Sequence, residues 1–146
     1  MVIKVPVTPP VRSFLVSFYQ SDILHYKITD PLSLVLFSPF RRINFGEKPL
    51  IVKDSCFIQA KLPSYLVESG KTHITRKDAE RFVYHVTGRI YEELFYYVQM
   101  QMIAGMKQKA SIESFCSHWN MEYTETTYEN LKKAFYREKQ RREKVD

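Results

Sequence analysis

Apolar and polar positions alternate differently in the two halves of the chain. From Thr75 to Gly105, Ala79, Phe82, Val86, Ile90, Leu94, Val98 and Met102 recur at steps of three and four, with Val83, Phe95 and Ile103 widening the stripe. That period is one face of an α-helix. Thr75 and Asp78 stand at capping-box spacing ahead of it, and Gly105 is the residue type that ends helices in a left-handed conformation. Gly88 weakens the pattern by about 1 kcal/mol relative to Ala. The helix would run about 45 Å at 1.5 Å per residue, which predicts the spine of the fold. Tyr84, Tyr91, Tyr96 and Tyr97 crowd its other faces, so burial on more than one side is expected, with a second copy of the chain as one covering surface.

The region before it is punctuated, and all seven prolines precede Ser64. Ile3, Val5 and Val7 share one parity and predict a short strand over Val2 to Val7, which Pro6 confines to a sheet edge. Thr8 followed by Pro9 predicts a helix start, with Val11, Phe14, Leu15 and Phe18 as its apolar face. Asp30-Pro31 opens a second short helix through Leu32, Val35 and Leu36, and Ser38-Pro39 closes it. Leu50 to Leu62 is the best strand candidate, or a hairpin if Lys53-Asp54-Ser55 turns.

Two further helices follow the long one. Ser111 is expected to cap the first, with Ile112, Phe115, Cys116 and Trp119 inward and Asn120 as a left-handed stop. Thr126 and Glu129 have capping-box spacing for the second, expected from Thr127 to about Lys144 with Tyr128, Leu131, Ala134 and Phe135 inward. The fold class expected is α+β, mainly helical. A small strand-and-helix region over 1–74 packs on the long helix of 75–105, and a helix-turn-helix-like pair occupies 106–146. The three parts are expected to form one compact domain.

Composition changes this picture in few places. The chain has 146 residues, 45% of them apolar, enough for a sizeable core. Cys56 and Cys116 form no CxxC pair and are expected as two buried free thiols. The N-terminus lacks the pattern of a signal peptide, and Leu32 to Phe40 is too short to span a membrane, so a cytoplasmic protein with no membrane partner is expected. Net charge is +6, which favours acidic partners. The excess is densest from Lys132 to Lys144, where seven basic residues face two acidic ones.

Two short helices with a capped second member suggest a helix-turn-helix, in which the second helix enters the major groove. Rotating the last helix by about 100° per residue sets Glu129, Lys133, Tyr136, Arg137, Gln140 and Lys144 opposite the apolar stripe, with Asn130 and Arg141 flanking. Lys and Arg neutralise phosphate or read guanine, and Asn and Gln pair with adenine edges. Thr126 and Thr127 would meet phosphate at the helix start. Against this, the connection from Asn120 to Thr126 is long and lacks glycine, and Glu113, Glu122, Glu125 and Glu129 bring negative charge. A basic C-terminal turn also complements the helix dipole without any ligand.

The segments Ser111 to Cys116, Asn120 to Glu122 and Tyr128 to Arg137 resemble the C-terminal helical module of small proteins of prophages and mobile elements in anaerobic gut bacteria. There a phenylalanine-bearing short helix precedes an acidic connection and a Leu-Lys-Lys-aromatic-aromatic-Arg helix. The resemblance implies a DNA-associated mobile-element role and no defined activity.

Other motifs carry less. Ser69-Gly70-Lys71-Thr72 ends like a phosphate-binding loop, but Tyr65 stands where the first glycine belongs, and a turn is expected. His25, His73, His85 and His118 have no ligand spacing with another His or a Cys, so no metal is expected. Glu92 and Glu93 are adjacent and diverge on a helix. Arg41-Arg42 with Phe40, Ile43 and Phe45 is a second basic-aromatic cluster, suited to a phosphate backbone or a protein interface, and read first as loop capping. No acid, base and nucleophile set converges. The expected function is therefore a non-enzymatic DNA-binding accessory or regulatory protein of a mobile element, without cofactor, with DNA as the expected partner and a homodimer consistent with two half-sites. The alternative is a structural or adaptor subunit that binds protein through the aromatic long helix.

Overall fold

Val2–Pro6 is an edge strand, β1, in a computed structural model that describes residues 1–145. The elements that follow are α1 (Pro9–Tyr19), β2 (Ile23–His25), α2 (Pro31–Phe37), β3 (Phe57–Lys61), α3 (Ser64–Glu68), α4 (Arg76–Ile103), α5 (Gln108–His118) and α6 (Glu125–Val145). The protein is α+β and mainly helical, as its patterning predicts. Two compact units divide inside α4, the first covering Met1–Val86 and the second starting at Thr87.

In the first unit, the sheet runs in the order β1-β3-β2. β1 pairs antiparallel with β3, placing Val5 opposite Ile58 and Ile3 opposite Ala60, and β2 pairs parallel with β3. Val5, Ile58 and Ala60 are fully buried. Pro6 has no N–H to donate, so it closes the ladder at Phe57, and a single bond from Val7 N–H to Cys56 O at 3.3 Å follows. The chain then turns into α1. This corrects the strand or hairpin expected over Leu50 to Leu62. Within that range only Phe57–Lys61 is strand, because among the described residues no strand lies beside 50–55 to pair with them. Cys56 is half-buried rather than buried, while Cys116 is buried and both thiols are free.

The helix starts follow local chemistry. Thr8 precedes α1 in extended backbone, but its side chain makes no cap bond; Pro9 at the first position sets the start. Val11, Phe14 and Leu15 are buried as expected, whereas Phe18 is 40% exposed. Asp30 accepts from Leu32 N–H at 3.1 Å, a true cap for α2, and also accepts from the Tyr19 hydroxyl. Thr75 and Asp78 form the expected capping box of α4. Asp78 N–H donates to Thr75 Oγ1 at 3.1 Å and Thr75 N–H donates to the Asp78 carboxylate at 2.9 Å. In the first unit α4 buries Ala79, Phe82 and Val86; in the second it buries Ile90, Leu94 and Val98. The stripe ends there, since Met102 is 41% and Ile103 79% exposed. Gly105 follows at φ +98, the left-handed stop. Tyr84 is left largely uncovered by the chain, whereas Tyr96 is half exposed.

Candidate nucleic-acid interface

The second unit is built from the later turns of α4 together with α5 and α6. Tyr97 on α4 meets α5 twice, through a 2.6 Å hydroxyl contact with Ser114 and an edge-on ring contact with Phe115. Ile112, Phe115 and Cys116 are fully buried. Burial pushes the Cys116 thiol up to about 11, helped by the nearby charge of Glu113.

Two expected caps are corrected. Ser111 does not start α5. The helix begins at Gln108 after Lys107, and Ser111 sits inside it, buried, its hydroxyl donating to Lys107 O at 2.9 Å. A mid-helix serine satisfies a buried hydroxyl this way when the preceding turn is already helical. Thr126 does not cap α6 either. Thr127 N–H donates to Thr124 Oγ1 at 3.1 Å and Tyr128 N–H donates to Thr124 O at 2.9 Å, so the helix starts at Glu125. Thr124 and Thr127 have the three-residue spacing of a cap and its N–H. That signal was present in Thr124-Glu125-Thr126-Thr127, masked by the more familiar Thr-to-Glu pattern two residues later. Asn120 does stop α5, at φ +56, with Met121 N–H returning to Cys116 O at 2.8 Å.

Along α6, Leu131, Ala134 and Phe135 are buried, and Phe135 stacks on Phe95 of α4 at 5.7 Å. Asn130, Lys133, Tyr136, Arg137, Gln140, Arg141 and Lys144 are all exposed, as the rotation of the sequence predicts; Thr126 is exposed and Thr127 half-buried. Lys133, Gln140 and Lys144 stand nearest the centre of the outward face, with Arg137 beside them. Among the described residues, Lys133, Arg137 and Lys144 have no carboxylate partner. Arg141 differs, because it pairs with Glu138. Hydrogen bonds from Arg141 first, and from Arg142, hold the Glu138 carboxyl below the usual range.

Arg142 stands apart from the exposed cations of α6. It donates to Glu138 at 2.9 Å and to the Tyr96 hydroxyl at 3.1 Å, lying over the rings of Phe95 and Tyr96. It anchors the last turns of α6 to α4, leaving its neighbours outward. The spacing of Glu138 to Arg142 was legible in sequence; the partner ring on α4 was not.

The start of α6 has the opposite character. Lys109, Glu113, Tyr123, Glu125, Tyr128 and Glu129 line a groove between α5 and α6. Its carboxylates outnumber its single cation. The Tyr123 hydroxyl is buried without a partner among the described residues, and burial first, then Glu113, raises its pKa. A phosphate approaching Thr126 and Thr127 would meet Glu125 and Glu129, and the Thr127 N–H is already taken by Thr124. The surface suited to a polyanion is thus the later, basic part of α6.

Comparison with protein-family models, curated proteins and solved structures finds no match. Among the described residues, no cluster of His, Cys, Asp and Glu is arranged to hold a metal ion, and no helix is long and apolar enough to cross a membrane.

Proposed function

We propose that the chain binds nucleic acid, duplex DNA first, through the exposed face of α6. One observation carries this reading: Lys133, Arg137, Gln140 and Lys144 follow one another at steps of four, three and four, all exposed, with the three cations unpaired among the described residues. The stripe spans about 16 Å of helix at 1.5 Å per residue. Duplex DNA carries one charge per about 1.7 Å of its axis, so that length faces several phosphates. Lys133, Arg137 and Lys144 supply phosphate contacts, Gln140 and Asn130 offer amides to base edges, and Tyr136 adds an exposed ring. Arg141 contributes once it leaves Glu138. Thr126 and Thr127 are left out because the carboxylates around them oppose an anion. The reading contains no chemical step and fits the accessory or regulatory mobile-element role implied by the resemblance over Ser111 to Arg137.

The test is fluorescence anisotropy of the full chain with a mixed-sequence duplex across a salt series. Micromolar or tighter binding that weakens steeply with salt supports the reading, and Lys133→Glu with Arg137→Glu should abolish it while the fold persists. No binding at low salt sinks it.

A second reading, a structural or adaptor subunit, is favoured by the apolar end of α4, where Met100 is 66% and Ile103 79% exposed. Under it the double charge reversal is neutral, and Ile103→Lys disrupts an assembly measurable by sedimentation.

A further inference from the structure

The basic-aromatic cluster at Arg41-Arg42 is assembled in the first unit into a braced turn. Arg41 and His73 exchange backbone hydrogen bonds of 3.0 and 2.9 Å. The Arg41 guanidinium grips Glu47 with two bonds, 2.9 and 2.6 Å. Glu47 also accepts from Asn44 N–H at 2.9 Å, while its own N–H returns to Asn44 O at 3.0 Å. Asn44 to Glu47 is therefore a four-residue turn, with Gly46 at φ +79 in the third position, where a type II turn requires a left-handed residue. On the inner side lies His73, 8% exposed, its Nε2 3.3 Å from Glu47 but not aligned for a hydrogen bond. Arg42 Nε donates to Ser69 O at 2.7 Å, tying the other flank.

Phe45 occupies the second position of this turn and is 108% exposed. Its ring meets no other ring and no cation among the described residues. The Arg41 charge is answered by Glu47, whereas exposed Arg42 and Lys48 have no carboxylate partner among the described residues. An aromatic ring open on both faces, held out on a turn and flanked in sequence by cations that no carboxylate neutralises, is the arrangement on which a base stacks while its neighbouring phosphates meet the cations. The unit around it is basic, with twelve Lys and Arg against seven Asp and Glu from Met1 to Val86.

We propose that Phe45 is a stacking platform for an unpaired base of single-stranded or locally opened nucleic acid, with Arg42 and Lys48 on the adjoining phosphates. A membrane surface is the less suitable partner. Even a single myristoyl chain holds a protein to a bilayer only marginally, and Phe45 with the 45% exposed Ile43 buries less, whereas one base stack registers in affinity by itself. The inference rests on the nucleic-acid reading above but uses a different surface, so the two can fail separately.

The experiment compares the full chain with Phe45→Ala, Phe45→Trp and Lys133→Glu with Arg137→Glu. Each is titrated by anisotropy against a mixed-sequence single strand, a blunt duplex and vesicles containing phosphatidylserine. Phe45→Ala should weaken the single strand about tenfold, Phe45→Trp should retain it, and neither should alter duplex affinity or thermal midpoint. Single-strand binding that depends on Phe45 but survives the α6 double variant supports the inference even if duplex binding is absent. Unchanged single-strand affinity in Phe45→Ala overturns it and leaves the α6 reading standing. Binding of neither nucleic acid by the native chain overturns both. Phe45-dependent vesicle binding with no effect on the single strand overturns it in favour of a membrane surface.

Discussion

The guanidinium carbon of Arg142 lies 4.5 Å from the centre of the Phe95 ring. With Tyr96 at 4.8 Å and Glu138 hydrogen-bonded on the same helix, this contact fastens the last turns of α6 to α4. A cation over a ring contributes about 1 kcal/mol at a partly exposed site, and the apolar stem adds packing. Arg142→Ala should therefore lower the thermal midpoint by about 3 °C. Arg142→Lys should recover only part, because an ammonium lacks the planar face and the fork. Circular dichroism melts of the three proteins check this; equal midpoints would contradict an anchoring role.

If the outward stripe of α6 meets phosphate, its cations should be countable. Each phosphate contact contributes about 0.9 to the slope of log affinity against log salt. Lys133→Gln and Lys144→Gln should each reduce the slope by about that amount and weaken all duplex sequences alike. Gln140→Ala should instead change the preference among sequences and leave the slope unaltered. A slope unmoved by both lysine changes would remove these residues from the interface.

The Glu47 carboxyl is held at about 2, chiefly by its hydrogen bond from Arg41 and then by the Asn44 N–H. Its folded pKa is depressed, so the stability it contributes is present above the ordinary carboxylate range and is lost as pH falls towards 2. Carboxyl chemical shifts followed by NMR should show Glu47 ionised to the bottom of the titration. Arg41→Ala should bring its midpoint back up towards the ordinary value.

Thr75→Ala removes the side chain that accepts from Asp78 N–H at the start of α4. Loss of such a cap costs about 1 kcal/mol. Urea unfolding should show a lower midpoint with an unchanged slope, and Thr75→Ser should restore most of the difference.

The two thiols should differ in reactivity. Cys116 is fully buried and its thiol is pushed up to about 11, so it presents little thiolate at neutral pH. Cys56 is half-buried. A thiol reagent under native conditions should label Cys56 first, with Cys116 labelled only on unfolding, as peptide mass spectrometry would show. Equal labelling rates would mean that α5 opens readily.

Elements with local signals could be read from the order of residues alone. The period of Ala79 to Val98, the box of Thr75 and Asp78, the stop at Gly105, the Asp30-Pro31 start and the left-handed Asn120 depend on neighbours within a few residues. The outward face of α6 was legible for the same reason, since buried Leu131, Ala134 and Phe135 dictate by helical geometry alone that Lys133, Arg137 and Gln140 point away. Tertiary structure decided what depends on distant partners. Ile23–His25 becomes a strand because β3 offers it an edge, and residues 50–55 fail to become one because, among the described residues, no strand continues beside them. Ser111 is interior rather than a cap because Lys107 starts α5 earlier. Arg142 is an anchor and Lys144 is not, since only Arg142 reaches Phe95 and Tyr96. Periodicity shows which side of a helix faces inward; which ring, carboxylate or strand waits there is set by chain segments far away in sequence, and no local spacing encodes them.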